Sequence, residues 1–438
     1  MKIEDNNEFL IDEVVDKGTT IEDLEHLSRP TISELCSADD GNLLIFPQSL
    51  GAYGDDINDK HIFRLYDNDR IETNNIMGFV GYKSASVSIC SRFTPKDKKD
   101  YFLHYMLEKV FSINLFDLNY KSDQEQIFDF LIFMFPHFLN KALTQGLYKE
   151  YQTRRYNDCN VKGRIDVNRH IRLNIPFRGN VAYETREFSF DNHVTELIRH
   201  TIEYISTKDF GQNILSSSEE TAENVRLIKE ATSKYTLQER LKVMSDNLRP
   251  VVHPYFYEYS DLQEICLMIL RHEELKYGEE KDKIHGILFD GAWLWEEYLN
   301  TILNPIGFKH PQNKIREGAI YLFEENKAER YPDFYSDNFV LDAKYKRYEN
   351  RDIAKVDIDD LNQVLSYMWI LQIKNGGFVF PCVEKKEIKR PRKLAGYEGY
   401  MGLYGIAINQ DAESYEDFKD KMRLEEDNFV ENIKSQTL

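Results

Sequence analysis

The 438-residue sequence has few cysteines, and none of them stands in a metal-binding or redox pattern. It contains no C-x-x-C, and no cysteine lies beside a histidine. An odd number of scattered thiols is typical of reduced cysteines and provides neither a zinc site nor a disulfide framework. We therefore predict that each is a small core residue; the five are Cys36, Cys90, Cys159, Cys266 and Cys382.

Motifs that bind nucleotides or catalytic zinc are also missing. There is no G-x-x-x-x-G-K-[ST], no G-x-G-x-x-G after a strand and no H-E-x-x-H, and His272-Glu273-Glu274 lacks the second histidine. These absences argue against nucleotide hydrolysis and against zinc-protease chemistry. We expect no nucleotide to bind to this chain.

Long apolar runs and a signal sequence are absent as well. No run approaches the roughly 18 apolar residues that a membrane-spanning helix needs. The N-terminus, MKIEDNNEFL, is acidic and polar, unlike a secretory signal peptide. The expectation is a cytoplasmic protein without membrane contact.

Positive charge is scarce, since 56 Lys and Arg face 75 Asp and Glu and the formal net charge is −19. Nucleic acid repels such a chain overall, so DNA contact requires a local basic patch or a partner that supplies positive charge. The length suggests two or three domains. A hydrophobic content of 42%, with 27 Tyr and 27 Phe, is ample for folded cores.

Patterning along the chain predicts an α+β fold with several domains. Residues 41–92 are strand-like, residues 99–150 carry dense apolar helical faces, and the charged stretch 276–286 marks a boundary. Beyond Asp411, charges of alternating sign predict a solvated helix. The expected segments are a β-rich N-terminal domain (1–160), a middle region of strand or loop followed by helices (161–285), a further domain (286–410) and a charged helical tail (411–438).

A basic stretch, NVKGRIDVNRHIRLNIPFRGN, begins at Asn160. Its positive residues alternate with apolar ones, which fits either contact with nucleic acid or a solvated sheet face, and both interpretations stay open. The candidate DNA-binding residues are Arg164, Arg169, Arg172 and Arg178, with Lys162 beside them.

The segment YPDFYSDNFVLDAKYKRY, residues 331–348, predicts a β-hairpin with catalytic side chains on one face. Asp337 and Asn338 both tolerate positive φ, as a two-residue type I′ turn requires. That register places Asp333 directly opposite Asp342, where Cβ atoms lie about 4.5–5.5 Å apart. Strand periodicity sets Lys344 on the same face as Asp342.

Opposed carboxylates are destabilising unless a cation lies between them. A divalent ion held by carboxylate oxygens would occupy that position, and Mg²⁺ suits sites that keep several waters and use substrate phosphates as ligands. The competing interpretation is a surface hairpin in which Lys344 pairs with both acids.

Helices on either side of the hairpin favour a functional site. In FDGAWLWEEYLNTIL, a helical wheel places Glu296 at the edge of the apolar stripe, facing the sheet, and Glu297 toward water. In DIDDLNQVLSYMWILQI, Gln363 and Tyr367 share a face at i, i+4.

This order of features resembles the PD-(D/E)XK nuclease superfamily, with Pro332-Asp333 and Asp342-Ala343-Lys344 as its motifs. The Gln363 and Tyr367 pair is similar to the additional motif of the RecB-like branch. Other segments resemble the McrC family, the nuclease subunit of McrBC-type modification-dependent restriction systems. The resemblance covers most of residues 40–385, and the segments that carry it are IMGFVGYKSASVSICSRF, YFLHYMLEKVF, KGRIDVNRHIRLNI and REFSFDNHVTELI.

The resemblance implies that residues 286–410 form a PD-(D/E)XK domain, a mixed sheet flanked by helices, that cleaves modified double-stranded DNA for defence. Residues 1–160 would bind a hexameric AAA+ GTPase of the McrB type, which hydrolyses GTP and reads the modified base. The implied cofactor is Mg²⁺, with Mn²⁺ as a substitute, held by Asp333, Asp342 and Glu296. The implied catalytic set adds Lys344, Gln363 and Tyr367.

Two other functions remain open. One is an independent RecB-like nuclease in DNA repair, which would bind DNA tightly without a partner. The other is a non-catalytic regulatory subunit whose nuclease fold docks onto a GTPase and stimulates it.

Overall fold

A computed structural model gives the fold, which mixes helices and strands as the sequence predicts. The structure describes residues 1–15, 19–37, 43–46, 60–66, 69–95, 99–111, 123–208, 210–276, 284–313, 317–348, 352–383 and 390–436.

The chain forms two compact units. Unit 1 comprises Met1–Leu115 and Lys281–Leu438, and unit 2 is the single segment Phe116–Glu280. These limits differ from the expected segments, because residues 116–160 belong to unit 2 and the segments flanking unit 2 belong together.

The first part of unit 1 consists of short strands and helices. They are β1 (Lys2–Glu4), β2 (Glu8–Leu10), α1 (Ile11–Val14), α2 (Ile21–Ser28), α3 (Ile32–Ser37), β3 (Leu43–Phe46), β4 (Phe63–Tyr66), β5 (Arg70–Thr73), β6 (Ile76–Tyr82), β7 (Ala85–Cys90) and α4 (Tyr101–Phe111).

Unit 2 is mostly helical. Its elements are α5 (Asp123–Leu143), β8 (Glu150–Asp158), β9 (Arg164–Ile165), α6 (Val167–Asn174), β10 (Val181–Ser189), α7 (His193–Ser206), α8 (Gly211–Leu215), α9 (Glu219–Ala231), α10 (Arg240–Asp246) and α11 (Glu258–Lys276). Strands β8 and β10 form a nine-residue antiparallel ladder, and the short β9 pairs with β10.

The second part of unit 1 contains the predicted hairpin. Its elements are β11 (His285–Asp290), α12 (Gly291–Leu303), β12 (Ile320–Phe323), β13 (Lys327–Arg330), β14 (Phe334–Tyr335), β15 (Phe339–Ala343), α13 (Ile358–Leu371), β16 (Asn375–Cys382), β17 (Arg392–Lys393), β18 (Tyr400–Ala407) and α14 (Tyr415–Gln436).

One sheet joins the two parts of unit 1. Its order is β1-β7-β6-β11-β3, so β11 lies between two strands that precede unit 2 in sequence. The core of this sheet consists of buried apolar residues that come before and after unit 2 in the sequence, among them Val80, Val87 and Leu288. The expected boundary near residue 286 therefore falls at the start of a strand that belongs to the N-terminal sheet.

A second five-stranded sheet carries the predicted hairpin, in the order β14-β15-β16-β18-β17. Its three inner strands are parallel and its two outer strands antiparallel. The inner strands are almost continuously buried, as parallel strands covered on both faces are. Helix α13 packs on this sheet through Val364 and Met368. Helix α12 contributes Trp295, whose indole N–H donates to the Val379 carbonyl at 3.4 Å.

The C-terminal helix α14 is packed, and the prediction of a solvated tail is wrong. Glu426 accepts hydrogen bonds from the Tyr105 hydroxyl (2.9 Å) and the Tyr298 hydroxyl (2.7 Å), and it pairs with Lys109. The buried apolar positions stand singly among charges at spacings of four, seven and four residues, which hides the stripe in the sequence. They are Phe418, Met422, Phe429 and Ile433.

Three of the cysteines are buried thiols outside any disulfide, as predicted: Cys90, Cys266 and Cys382. Cys159 is free but exposed, because it lies in the connection that follows β8. The side chain of Cys36 lies outside the described residues. Among the described helices, none combines the length and apolar character that a membrane crossing requires.

Candidate active site

The predicted hairpin forms in the predicted register. Phe334 pairs with Leu341 and Tyr335 with Val340, which sets Asp333 opposite Asp342. The Ser336 N–H donates to the Phe339 carbonyl at 2.9 Å and closes the turn. The predicted type I′ turn is wrong, because neither turn residue, Asp337 or Asn338, has positive φ. Since β14 has only two residues, the turn need not match the twist of long strands.

The two aspartates form an acidic pair in which Asp342 is buried and Asp333 is half-buried. Asp342 is 1% exposed, and Asp333 Oδ2 accepts a hydrogen bond from the Ala343 N–H at 2.6 Å. Burial, and then the charge of Glu296, raises the pKa of Asp333 to about 7. Burial, and then the charge of Asp333, raises the pKa of Asp342 to about 7. The pair therefore resists ionisation unless positive charge approaches.

Lys344 supplies part of that positive charge. Its Nζ lies 2.9 Å from Asp342 Oδ2 and 2.9 Å from Asp360 Oδ1. Burial lowers the pKa of Lys344, but the two carboxylates outweigh burial, and the net shift is upward. Lys344 is thus a fixed cation between two acids. Asp360, in the first turn of α13, is missing from the sequence-based set, and the only sequence signal for it is the acidic start of that helix.

Asp342 Oδ2 is buried, and its negative charge is met by the Lys344 ammonium 2.9 Å away. In the described part of the chain, no group of three His, Cys, Asp or Glu side chains could hold a metal ion. Two opposed carboxylates are the kind of oxygen donor that a hard cation prefers, with waters and substrate oxygens as its other ligands.

Helix α12 presents both of its glutamates to one histidine. His310 Nε2 lies 3.7 Å from Glu296 Oε1 and 3.8 Å from Glu297 Oε1. The Glu296 side chain is 32% exposed and the Glu297 side chain 24%, so the prediction that Glu297 faces water is wrong. Consecutive helical residues lie about 100° apart, and a histidine between them contacts both.

His310 is a second residue that the sequence-based set lacks. It is 5% exposed, its Nδ1 bonds the Asp333 carbonyl at 2.7 Å, and its ring stacks on Phe334 at 4.8 Å. Burial lowers the pKa of His310, but its bonds to Glu297 and to the Asp333 carbonyl outweigh burial, and the pKa is raised. His310 lies far from the hairpin in sequence, so local spacing could not reveal it.

Gln363 and Tyr367 meet as their i, i+4 spacing predicts. Gln363 Nε2 donates to the Tyr367 hydroxyl at 2.8 Å, and that hydroxyl donates to the Tyr331 carbonyl at 3.2 Å. Burial raises the pKa of Tyr367 to about 12; Gln363 opposes that rise, and Asp333 and Asp342 add to it. Tyr367 thereby fixes the backbone two residues before Asp333.

The four candidate DNA-binding arginines, Arg164, Arg169, Arg172 and Arg178, lie in unit 2, whereas the acidic site lies in unit 1. Arg169 donates to the Tyr156 carbonyl at 2.9 Å and is partly buried, while the other three are exposed. Their role stays a prediction.

Comparisons with known proteins identify one family. The model of the family described as McrBC 5-methylcytosine restriction system component matches residues 71–381. No curated protein matches the chain.

Two solved structures are similar. One is the refined half-complex from a tetradecameric assembly of Thermococcus gammatolerans McrB AAA+ hexamers with bound McrC, with 15% identity, a TM-score of 0.48, and coverage of 97% of this chain and 99% of that chain. The other is the cryo-EM structure of the Thermococcus gammatolerans McrBC complex, with 14% identity, a TM-score of 0.36, and coverage of 69% and 87%.

Proposed function

The chain belongs to the family of McrBC 5-methylcytosine restriction system components, and on that premise we propose that it is the subunit that hydrolyses DNA phosphodiester bonds with Mg²⁺. Asp333, Asp342 and Lys344 are the central residues of the proposed PD-(D/E)XK site. The protein would act in the cytoplasm, in defence against foreign DNA.

One observation carries the proposal. Two opposed aspartates, Asp342 buried and Asp333 half-buried, each have the pKa raised to about 7 beside a lysine held by two carboxylates. Burying like charges lowers stability, and a structural hairpin gains nothing from it. A cation-binding catalytic site explains the arrangement, and perturbed pKa values of this kind cluster at functional sites.

Asp333 and Asp342 would hold the metal, with Glu296 beside them. When bound, Mg²⁺ stabilises negative charge on the phosphate and lowers the pKa of a bound water; Mn²⁺ would substitute. The Asp333 and Asp342 carboxyls, opposed across the hairpin, support this assignment, because two such groups ionise together only when positive charge lies close to both.

The remaining residues act on charge and position. The Lys344 ammonium can neutralise charge that develops on the scissile phosphate. The Tyr367 hydroxyl, aided by Gln363, fixes the Tyr331 carbonyl and so the approach to Asp333. His310 fixes the Asp333 carbonyl from the other side.

The substrate and the partner follow from the family and from the charge. The proposed substrate is modified double-stranded DNA, and the proposed partner is a hexameric AAA+ GTPase of the McrB type. A chain with a net charge of −19 is repelled by DNA, so a partner that holds the substrate would be needed for cleavage at physiological salt.

The test measures nicking of methylated and unmethylated plasmid by the full chain with its GTPase partner, GTP and Mg²⁺. We expect cleavage that EDTA abolishes and that Asp342→Asn or Lys344→Ala eliminates. The matched control is Asp337→Asn, which removes an exposed carboxylate from the turn of the same hairpin and should cleave normally.

Three results would exclude the proposal or redirect it. Metal-dependent cleavage that survives Asp342→Asn would remove this site from consideration. Tight DNA binding and cleavage by the isolated chain would favour the independent RecB-like nuclease. GTPase stimulation with no cleavage under any condition would favour the regulatory subunit.

A further inference from the structure

A polar cavity of about 340 Å³ opens beside the candidate active site in unit 1. One wall is the turn between β1 and β2, which includes Glu4 and Asn6, and the other is Lys346 and Arg347, just beyond β15. Every described residue that lines the cavity is polar or charged. The cavity suits a polar ligand.

The Arg347 guanidinium is held in place by contacts that leave its positive charge unneutralised. Its Nη2 donates to the Arg92 carbonyl, and its guanidinium lies 5.8 Å from the centre of the Phe93 ring. In the part of the chain that the structure describes, Arg347 forms no ion pair with a carboxylate. An ordered arginine with free donors is suited to a phosphate, which it can bind through two parallel hydrogen bonds.

The charges of the cavity do not cancel. Arg92 and Asp5 form a buried pair, in which Arg92 Nε lies 2.9 Å from Asp5 Oδ2 and the Arg92 N–H lies 2.6 Å from Asp5 Oδ1. That pair is neutral as a whole. Glu4 is then the only remaining acid among the described lining residues, and it faces the two cations Lys346 and Arg347. The described lining thus carries one net positive charge, and Arg347 is its cation without a carboxylate partner among the described residues, in a chain whose net charge is −19.

Asp360 links the cavity to the candidate active site. Lys344 Nζ lies 2.9 Å from one oxygen of Asp360, and Lys346 Nζ lies 3.9 Å from the other. The two ammonium groups therefore flank a single carboxylate. A strand whose scissile phosphate lies at Lys344 would bring a neighbouring backbone phosphate to Lys346 and Arg347.

We propose that this cavity binds the DNA backbone phosphate that neighbours the scissile phosphate on the same strand. This inference rests on the proposed nuclease function. A free nucleotide would supply the same phosphate chemistry, but its base would find no aromatic or apolar side chain to stack on among the described lining residues. A sugar–phosphate segment needs no such surface.

The test is DNA binding by the full chain in EDTA, so that no cleavage is required. A labelled DNA duplex is titrated by fluorescence anisotropy over a salt series that starts at about 20 mM, where non-specific binding is measurable. The variant Lys346→Ser/Arg347→Ser is compared with Lys374→Ser/Lys393→Ser, which removes two exposed lysines elsewhere in unit 1. Both variants have the same net charge.

The cavity variant should bind about tenfold more weakly, and the magnitude of its slope of log K against log salt should fall by about 1, since one lost phosphate contact is worth roughly 0.9. The control variant should bind within about twofold of the parent chain. Equal losses in both variants would mean that only overall charge matters and would overturn the proposal. If the parent chain alone does not bind at low salt, the same titration is made on its complex with the GTPase partner, and equal binding of the cavity and control variants there would overturn the proposal.

A competition arm separates the two sources of phosphate. GTP or inorganic phosphate, added at constant ionic strength, should not displace the duplex at micromolar concentration. Displacement that depends on Arg347 would instead identify a nucleotide site. If the double variant melts at a lower temperature than the parent, the single variant Lys346→Ser replaces it in the binding assay. That variant keeps the Arg347 contact to the Arg92 carbonyl.

The result is independent of the nuclease test. The cavity proposal can fail while Asp342→Asn still abolishes cleavage, and the nuclease proposal can fail while the cavity binds DNA.

Discussion

At the scale of single residues, the site is dominated by buried charge. Asp333 and Asp342 share one face of the hairpin, and Lys344 joins Asp342 to Asp360 through two ion pairs. Each group changes the pKa of its neighbours, so a substitution at one position alters the charge balance of all.

Asp342→Asn should raise the thermal stability of the protein in EDTA at pH 8. The pKa of Asp342 is raised to about 7 in the fold, above its ordinary value of 3.8, so the folded state binds the proton more tightly than the unfolded state does. The stability that this proton contributes is fully present below pH 3.8 and is lost as the pH rises through 7. Asparagine cannot ionise and avoids that loss.

The measurement is the melting temperature of both proteins in EDTA at pH 5 and pH 8. We expect the variant to melt at least about 2 °C higher at pH 8, with a smaller gain at pH 5. A gain that is equal at both pH values, or larger at pH 5, would show that Asp342 is not held with a raised pKa.

Asp360→Asn should lower kcat for cleavage about tenfold and leave KM for DNA nearly unchanged. Asp360 holds Lys344 from the side opposite Asp342, so its loss lets the ammonium move away from the phosphate position. Asp359→Asn is the control, because it removes an exposed carboxylate from the same helical turn. Asp360→Glu should restore part of the rate. Equal effects of the two Asn substitutions would point to helix stability rather than to Lys344.

At the scale of elements, helix α12 shows how packing revises a helical wheel. The wheel correctly places Trp295, Tyr298 and Leu299 on the buried stripe. It cannot reveal that the loop beyond the helix returns with His310 and covers the polar edge. Glu296 and Glu297 therefore both contact His310, and the charge of Glu296 also raises the pKa of Asp333.

Glu296→Ala should reduce cleavage by at least about tenfold, because the charge of Glu296 sets the pKa of Asp333. Glu297→Ala should chiefly reduce the stability of the fold. Glu297 pairs with a nearly buried histidine, and its removal should cost about 1 kcal/mol. The pKa of His310 is raised, so the pair stabilises the fold at low pH, and that stability is lost as the pH rises through the raised value.

Urea denaturation at pH 6 and pH 9, together with plasmid nicking, measures both effects for these two variants. We expect the Glu297→Ala loss of stability to be larger at pH 6. A Glu297→Ala protein with unchanged stability at both pH values would mean that the glutamate does face water.

At the scale of the whole molecule, the division into units decides which fragments can be tested. Strand β11 lies between β6 and β3, so a fragment ending at residue 160 loses an inner strand of its sheet. Residues 116–280 contain a complete sheet and their own helices. The expectation that residues 1–160 bind the GTPase partner stays a prediction, but that fragment is not a unit of the fold.

Residues 116–280 alone should therefore show a cooperative thermal transition, and residues 1–160 should not. Circular dichroism melting of the two fragments is the measurement, and the full chain is the reference. A cooperative transition in fragment 1–160 would mean that β11 is dispensable to the N-terminal sheet.

The sequence by itself determined the local chemistry of this protein. The register that opposes Asp333 and Asp342, the face of Lys344 and the Gln363 to Tyr367 contact all follow from strand and helix periodicity. These features depend on residues close together in the chain, where periodicity alone fixes which side chains meet.

Only the tertiary structure decided the rest: the unit boundaries, the packed α14, the turn geometry, and the places of His310 and Asp360. His310 is thirteen residues from Glu297, and β11 is over two hundred residues from its partner β6, so no local pattern records either contact. Burial has the same origin. The pKa values of Asp333 and Asp342 rise because segments distant in sequence exclude water from them, and no property of the hairpin sequence specifies that exclusion.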